Sequence, residues 1–114
     1  MLKVPCYLRT RRMEWCLSQK EVASLLGSHR GRVSKVERGL AQPEASELFA
    51  YAFVFGCTPE SLFPAYADEI QDAVMAGAYR LSQRLEGNES PKARRKSELL
   101  QTMLNRVTSH IPNL

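Results

Sequence analysis

Four cations recur through one short run, HRGRVSKVERG at residues 29–39: Arg30, Arg32, Lys35 and Arg38. Between them stand Gly31, Ser34 and two apolar residues three apart, Val33 and Val36. Residues three and four apart share a helix face. A helix here therefore turns its valines one way and Arg30, Gly31, Arg32, Ser34, Lys35 and Arg38 the other. Guanidinium and ammonium groups on a rigid rod include no nucleophile and no general base. They bind anions, and the arginine fork fits phosphate or the paired N7 and O6 acceptors of guanine. The chemistry offered is recognition of a polyanion, not the making of bonds.

The rest of the chain supplies no competing chemistry. No Ser/His/Asp, Cys/His or paired-carboxylate constellation is visible, so no catalytic residue is assigned and no enzyme is expected. Cys6, Cys16 and Cys57 form no CxxC pair and leave an odd count, and His29 and His110 lie far apart. These cysteines read as small buried hydrophobes, and no metal, no cofactor and no small-molecule ligand is expected.

With 114 residues the chain holds one domain, or one small domain with an appendage; domains usually run to about 100–150 residues. Apolar runs such as Phe53-Val54-Phe55 fall far short of the ~20 residues that span a bilayer. The N-terminal residues lack the build of a secretion signal, so no membrane association and a cytoplasmic location are expected. Charge is uneven. Residues 1–39 carry nine Lys/Arg against three acids, residues 40–63 carry only Glu44, Glu47 and Glu60, and the remainder is nearly balanced. That asymmetry suits an N-terminal face that meets a polyanion.

The elements that must hold residues 29–38 in place are all helical, because apolar positions recur at helical spacing and no strand-like alternation appears. A first helix is expected from about Pro5 to Cys16, with Leu8 and Trp15 in the core. Ser18 opens a second, since Ser18 and Glu21 form an S-x-x-E capping box. Its inner face is Val22, Ala23 and Leu26, and Gly27 stops it. The third begins near Ser28 or His29 and closes at Gly39. Ala23 provides the small residue where two helices cross and Gly27 the bend, the demands of a helix-turn-helix. A fourth helix follows from about Glu44 to Phe55, with Leu48, Phe49, Ala52 and Phe55 as candidate core. Thr58 and Pro59 cap and open a short fifth.

Residues 8–63 resemble the helix-turn-helix domain of the Cro and lambda-repressor-like family, also called the XRE family. The likeness rests on LSQKEVASLLG, VSKVERG, the following Pro43, a helix ending in Gly56, and PESLF at residues 59–63. It implies a five-helix domain that binds double-stranded DNA. It places Arg30, Gly31 and Lys35 at the main base-reading positions, with Arg32 at a neighbouring one. Gln19 falls where the family contacts a phosphate and Arg38 where it touches the backbone; Ser18 and Ser34 are further candidates for phosphate contact. Arg12 and Glu37 match a pair that ties the first helix to the recognition helix, and a structural ion pair is the expectation for them. Two departures stand out: Gly31 has no side chain to read a base, and His29 replaces the usual Ser or Thr cap. Arg9 and Arg11 either reach phosphates or only solubilise the first helix, and Ser34 bonds either DNA or its own helix.

The resemblance stops near Pro64, which divides residues 1–64 from a C-terminal region, 65–114. There Tyr66, Ile70, Val74, Ala78, Leu81 and Leu85 form one stripe, and Leu100, Met103 or Leu104, Val107 and Ile111 a second. The expected fold is thus all-α, a five-helix domain followed by an αα-hairpin. A stripe of about 30 Å exceeds the needs of one small domain. Dimerisation through Ile70, Val74, Leu81, Leu85, Leu100, Leu104 and Val107 is preferred, because a twofold axis sets two recognition helices in successive major grooves about 34 Å apart. The expectation is a repressor that binds an inverted repeat as a homodimer. Its rival is an antitoxin-like or antagonist module whose hairpin takes a protein partner. The basic run Lys92–Lys96 opposes the macrodipole of its helix; a second phosphate contact, a solvated face, or acidic neighbours such as Asp68, Glu69 and Asp72 would each relieve it.

Overall fold

Local capping chemistry sets most of the element boundaries. The computed structural model describes residues 6–109, among which there are seven helices and no strand. They are α1 (Leu8–Glu14), α2 (Gln19–Leu26), α3 (Arg30–Glu37), α4 (Ala45–Phe55), α5 (Pro59–Leu62), α6 (Pro64–Leu85) and α7 (Pro91–Ser109). Pro5 and Ile111, which the sequence places at the ends of the first and last helices, lie outside the described residues. The chain divides into two compact units, one running through Glu69 and one starting at Ile70.

The capping box at the start of α2 is complete, with Glu21 N donating to Ser18 Oγ at 3.0 Å and Ser18 N donating to Glu21 Oε1 at 2.8 Å. Gly27 ends that helix at φ 66°, a left-handed conformation that costs a residue without Cβ little. This is the bend between α2 and α3. Thr58 caps α5 by accepting from Ser61 N at 3.2 Å.

The first unit closes around Cys6, Leu8, Val22, Ala23, Val33, Val36, Tyr51, Leu62 and Phe63, all buried. Each of α1 to α5 sends at least one residue into this core, and Leu17, Leu26, Leu48, Phe55 and Tyr66 pack against its edge. A backbone bond from Tyr7 N to Leu62 O, 2.8 Å, ties the segment before α1 to the end of α5.

Several apolar residues fall differently from the sequence expectation. Helix α1 ends at Glu14, and Cys16 turns the chain through a left-handed conformation at φ 57°. Trp15 consequently leaves the inner face and stands 68% exposed instead of in the core. Cys16 is exposed too, whereas Cys6 is buried and its thiol points at Val36 O, 3.8 Å away. In α4 the centre of the core is Tyr51, while Phe49 is 74% exposed. The helix is apolar nearly all round, so periodicity could not say which face turns inward.

The second unit is a hairpin. One groove is lined by Ala78 and Ser82 with Ser97 and Leu100, another by Gln71 and Val74 with Met103 and Val107. Later residues of α6 thus meet earlier residues of α7, and the helices run antiparallel. Helix α6 has no fully buried residue and α7 only Ala93. Ile70, Val74 and Leu104 stand 46%, 50% and 43% exposed, and Leu81, Leu85, Leu100 and Val107 are half-buried. In the basic run, Arg94 pairs with Glu89 at 3.5 Å and Arg95 with Glu98 at 2.7 Å. Both of these acids are close to the run in sequence. Among the described residues no helix is long and apolar enough to cross a membrane.

Candidate nucleic-acid interface

Helix α3 is held by its apolar side and by both of its charged ends. Val33 and Val36 are fully buried. Near the C-terminal end, Arg12 of α1 grips Glu37 with two parallel bonds, Nε to Oε2 at 2.7 Å and Nη2 to Oε1 at 3.1 Å. The Glu37 side chain is 2% exposed and that of Arg12 12%. A carboxylate so far from water requires full pairing, and Gln19 completes it by donating from Nε2 to Oε1 at 3.1 Å. Arg12 also donates from Nη1 to Leu17 O at 2.9 Å, which fixes the chain between α1 and α2.

At the other end His29 is the cap: its Nδ1 accepts from Arg32 N at 3.2 Å, so Arg30 is the first residue of α3. This settles the start of the helix and links the two departures from the family pattern. A Cβ on residue 31 would lie 3.2 Å from His29 Nδ1 and 3.4 Å from Cε1. The bare glycine therefore gives the capping imidazole its room.

Arg30, Lys35 and Arg38 lie exposed along α3 and its C-cap. Neither Arg30 nor Lys35 makes a side-chain hydrogen bond or ion pair among the described residues. Arg38 makes only a long bond, Nε to Ser34 O at 3.4 Å. Ser34 is half-buried and Gly31 exposed. Ser18 uses its hydroxyl oxygen in the capping box, while Gln19 spends one N–H on Glu37 and keeps a second for another acceptor. The Glu21 carboxyl is held below the usual range by the Ser18 amide and hydroxyl, so it stays anionic beside the α2 terminus.

Arg32 departs from the outward-facing role the sequence gives it. Its Nε and Nη2 donate to the two oxygens of Glu47 at 2.9 and 2.6 Å, and Nη2 also donates to Gln42 O at 2.9 Å. Glu47 in turn accepts from Glu44 N at 2.7 Å, closing the capping box of α4. The guanidinium holds the Glu47 carboxyl below its usual range, against the burial that would raise it. Sequence reasoning missed Glu47 and Gln42 because partners ten and fifteen residues away leave no periodic signal. The acidic stretch at 44–47, following so basic a segment, was the only hint.

A helix pair joined by a tight glycine bend, with the second helix clamped at both ends and cationic outside, defines a DNA-binding helix-turn-helix domain. Residues 8–62 match the family profile described as helix-turn-helix, and this part of the chain belongs to the Cro and lambda-repressor-like, or XRE, family of DNA-binding transcription regulators. No curated protein and no solved structure matches the chain significantly.

Proposed function

We propose that the chain is a repressor that occupies an inverted-repeat operator as a homodimer. The observation that carries this reading is the division of α3 into a fully buried valine side and an outward flank on which Arg30 and Lys35 stand exposed and, among the described residues, unpaired. In the major groove these two side chains read guanine N7 and O6, and Gly31 lets the duplex approach the backbone. The free N–H of Gln19, the hydroxyls of Ser18 and Ser34, and Arg38 take phosphates. These contacts supply most of the affinity and a steep salt dependence.

The dimer forms through the hairpin. Ile70, Val74 and Leu104 are exposed along its apolar stripes, beside Leu81, Leu85, Leu100 and Val107. Charge supports a second copy as occupant: the first half of α6 carries Asp68, Glu69 and Asp72, and the first turns of α7 carry Lys92 and Lys96. A hairpin turned end for end sets those acids against those bases. The same exposed stripes favour a second reading, an antagonist-type module whose hairpin takes a different protein. Light scattering on the purified chain separates the two, with twice the chain mass expected for the homodimer and a monomer favouring the rival. Selection of bound duplexes from a random pool tests the whole, with an inverted repeat expected whose half-sites lie about 10 base pairs, or a multiple, apart. Indifference to every duplex in dilute salt would defeat the reading.

A further inference from the structure

We infer that Glu47 determines which bases the recognition surface reads, by holding Arg32 away from the groove, and that Arg32 is a positioning residue for α3. The inference rests on α3 entering the major groove and concerns which of its arginines does the reading. By residue type and spacing Arg32 is as good a guanine ligand as Arg30. The two differ in what surrounds them. Arg30 is exposed and unpaired among the described residues, whereas Arg32 has committed three donor contacts, two to Glu47 and one to Gln42 O.

The exchange that would free Arg32 is unfavourable on both sides. A bidentate guanine contact returns two hydrogen bonds to neutral acceptors for the three given up, two of which go to an ionised carboxylate. It also strands Glu47, whose side chain is only 14% exposed, as an unpaired carboxylate beside a polyanion. Glu47 cannot simply follow Arg32, because its Oε1 accepts the Glu44 amide at 2.7 Å and caps α4. The fork is thus pinned from the α4 side. The pair joins α3 to α4 near one end as Arg12 and Glu37 join α3 to α1 near the other. With Arg32 withdrawn and Gly31 bare, the first turn of α3 presents one reader, Arg30, and the next turn Lys35.

Duplex selection from a random pool, with the full chain and three variants, tests this. Arg32→Ala is expected to keep the wild-type base preference at every position, with affinity lowered by a similar factor on all sequences. Glu47→Gln, which removes the charge and keeps the shape, is expected to release Arg32 and to create a guanine preference of about 5-fold or more at a base pair the wild type ignores. The double variant Arg32→Ala/Glu47→Gln should lose that new preference, which a merely structural role for Glu47 would not produce. Circular dichroism melts establish that each variant folds, and Glu47→Ala serves if Glu47→Gln does not. The inference is overturned if folded Arg32→Ala loses discrimination at one base pair, or if the Glu47 variants select the wild-type site unchanged. A wild-type chain that selects no duplex defeats the DNA-binding reading and this inference with it, an outcome recognisable because all four chains are then indifferent.

Discussion

The two units treat their apolar residues differently. In the first, Leu8, Val22, Val33, Val36, Tyr51 and Leu62 are all but sealed from water. In the second, two longer helices seal only Ala93. A five-helix arrangement surrounds each inward side chain, but two antiparallel helices touch along one line and leave the flanks of a broad stripe uncovered. The first unit also fixes its charges internally, through Arg12–Glu37 and Arg32–Glu47 across helices, whereas the ion pairs of the hairpin lie within five residues of sequence. The first unit thus buries its apolar side chains and leaves the α3 flank outside, while the hairpin leaves much of its apolar stripes exposed, which is what the proposed dimer would cover.

The sharpest way to break this contrast is to truncate both halves. Glu37→Ala should cost the first unit about 3 kcal/mol, because Arg12 is left largely shielded from water without its carboxylate. Leu62→Ala should cost about 2–5 kcal/mol. Leu104→Ala in the hairpin should cost under about 1 kcal/mol of chain stability, in proportion to its smaller burial. Denaturant titration of the three checks this, and equal losses would show that the hairpin is sealed as tightly as the core.

The complementary change is to charge the open stripe. Val74→Asp with Leu104→Asp should convert the proposed dimer to a monomer by light scattering and leave the melting of the first unit in place. A monomer that no longer folds would mean that the hairpin supports the domain and is not only an interface.

Smaller effects sharpen the account of the core. Tyr51 is fully buried, yet its hydroxyl has no partner among the described residues, and burial, with Glu47 and Glu37 nearby, pushes its ionisation far upward. It is therefore a neutral phenol whose hydroxyl meets no protein partner among the described residues. Tyr51→Phe should raise stability by about 1 kcal/mol, since removing an unsatisfied buried group returns its desolvation cost. A loss of similar size would reveal a bond to that hydroxyl.

The Arg32–Glu47 pair adds a pH dependence of definite sign. The Glu47 carboxyl is lowered in the folded chain, chiefly by the Arg32 hydrogen bonds. Its contribution is complete above the unfolded carboxylate range and disappears as pH falls through the lowered folded value. Acid titration of thermal stability should show this limb, and Glu47→Gln should flatten it. A limb unchanged in that variant would assign the acid sensitivity to other carboxylates.

Much of this architecture was legible because it is written locally. Ser18 with Glu21, Gly27, Gly56, and Thr58 with Pro59 act on amides within one turn, so their spacing alone places α2, α4 and α5. Val33 and Val36 showed which side of α3 faces inward because every other residue there is polar or bare. The Arg12–Glu37 pair was readable only through the family likeness. Helix α4 gave no such contrast, with Phe49, Tyr51, Phe53 and Phe55 in one run; the structure buries Tyr51 and leaves Phe53 90% exposed. Trp15 was misplaced because the left-handed turn at Cys16 ends α1 before that residue can turn inward.

Residue order alone settles the helices, the bend between α2 and α3, and the presence of a cationic flank, since caps, glycines and three- and four-residue spacings act over a few ångströms of chain. Only the tertiary structure decided which cations remain on that flank. Arg30 and Arg32 are two residues apart and chemically alike, and what separates them is a carboxylate fifteen residues further on that folding brings within 2.6 Å of one guanidinium. A charge is free or spent according to what lies beside it in space, and position along the chain does not carry that information.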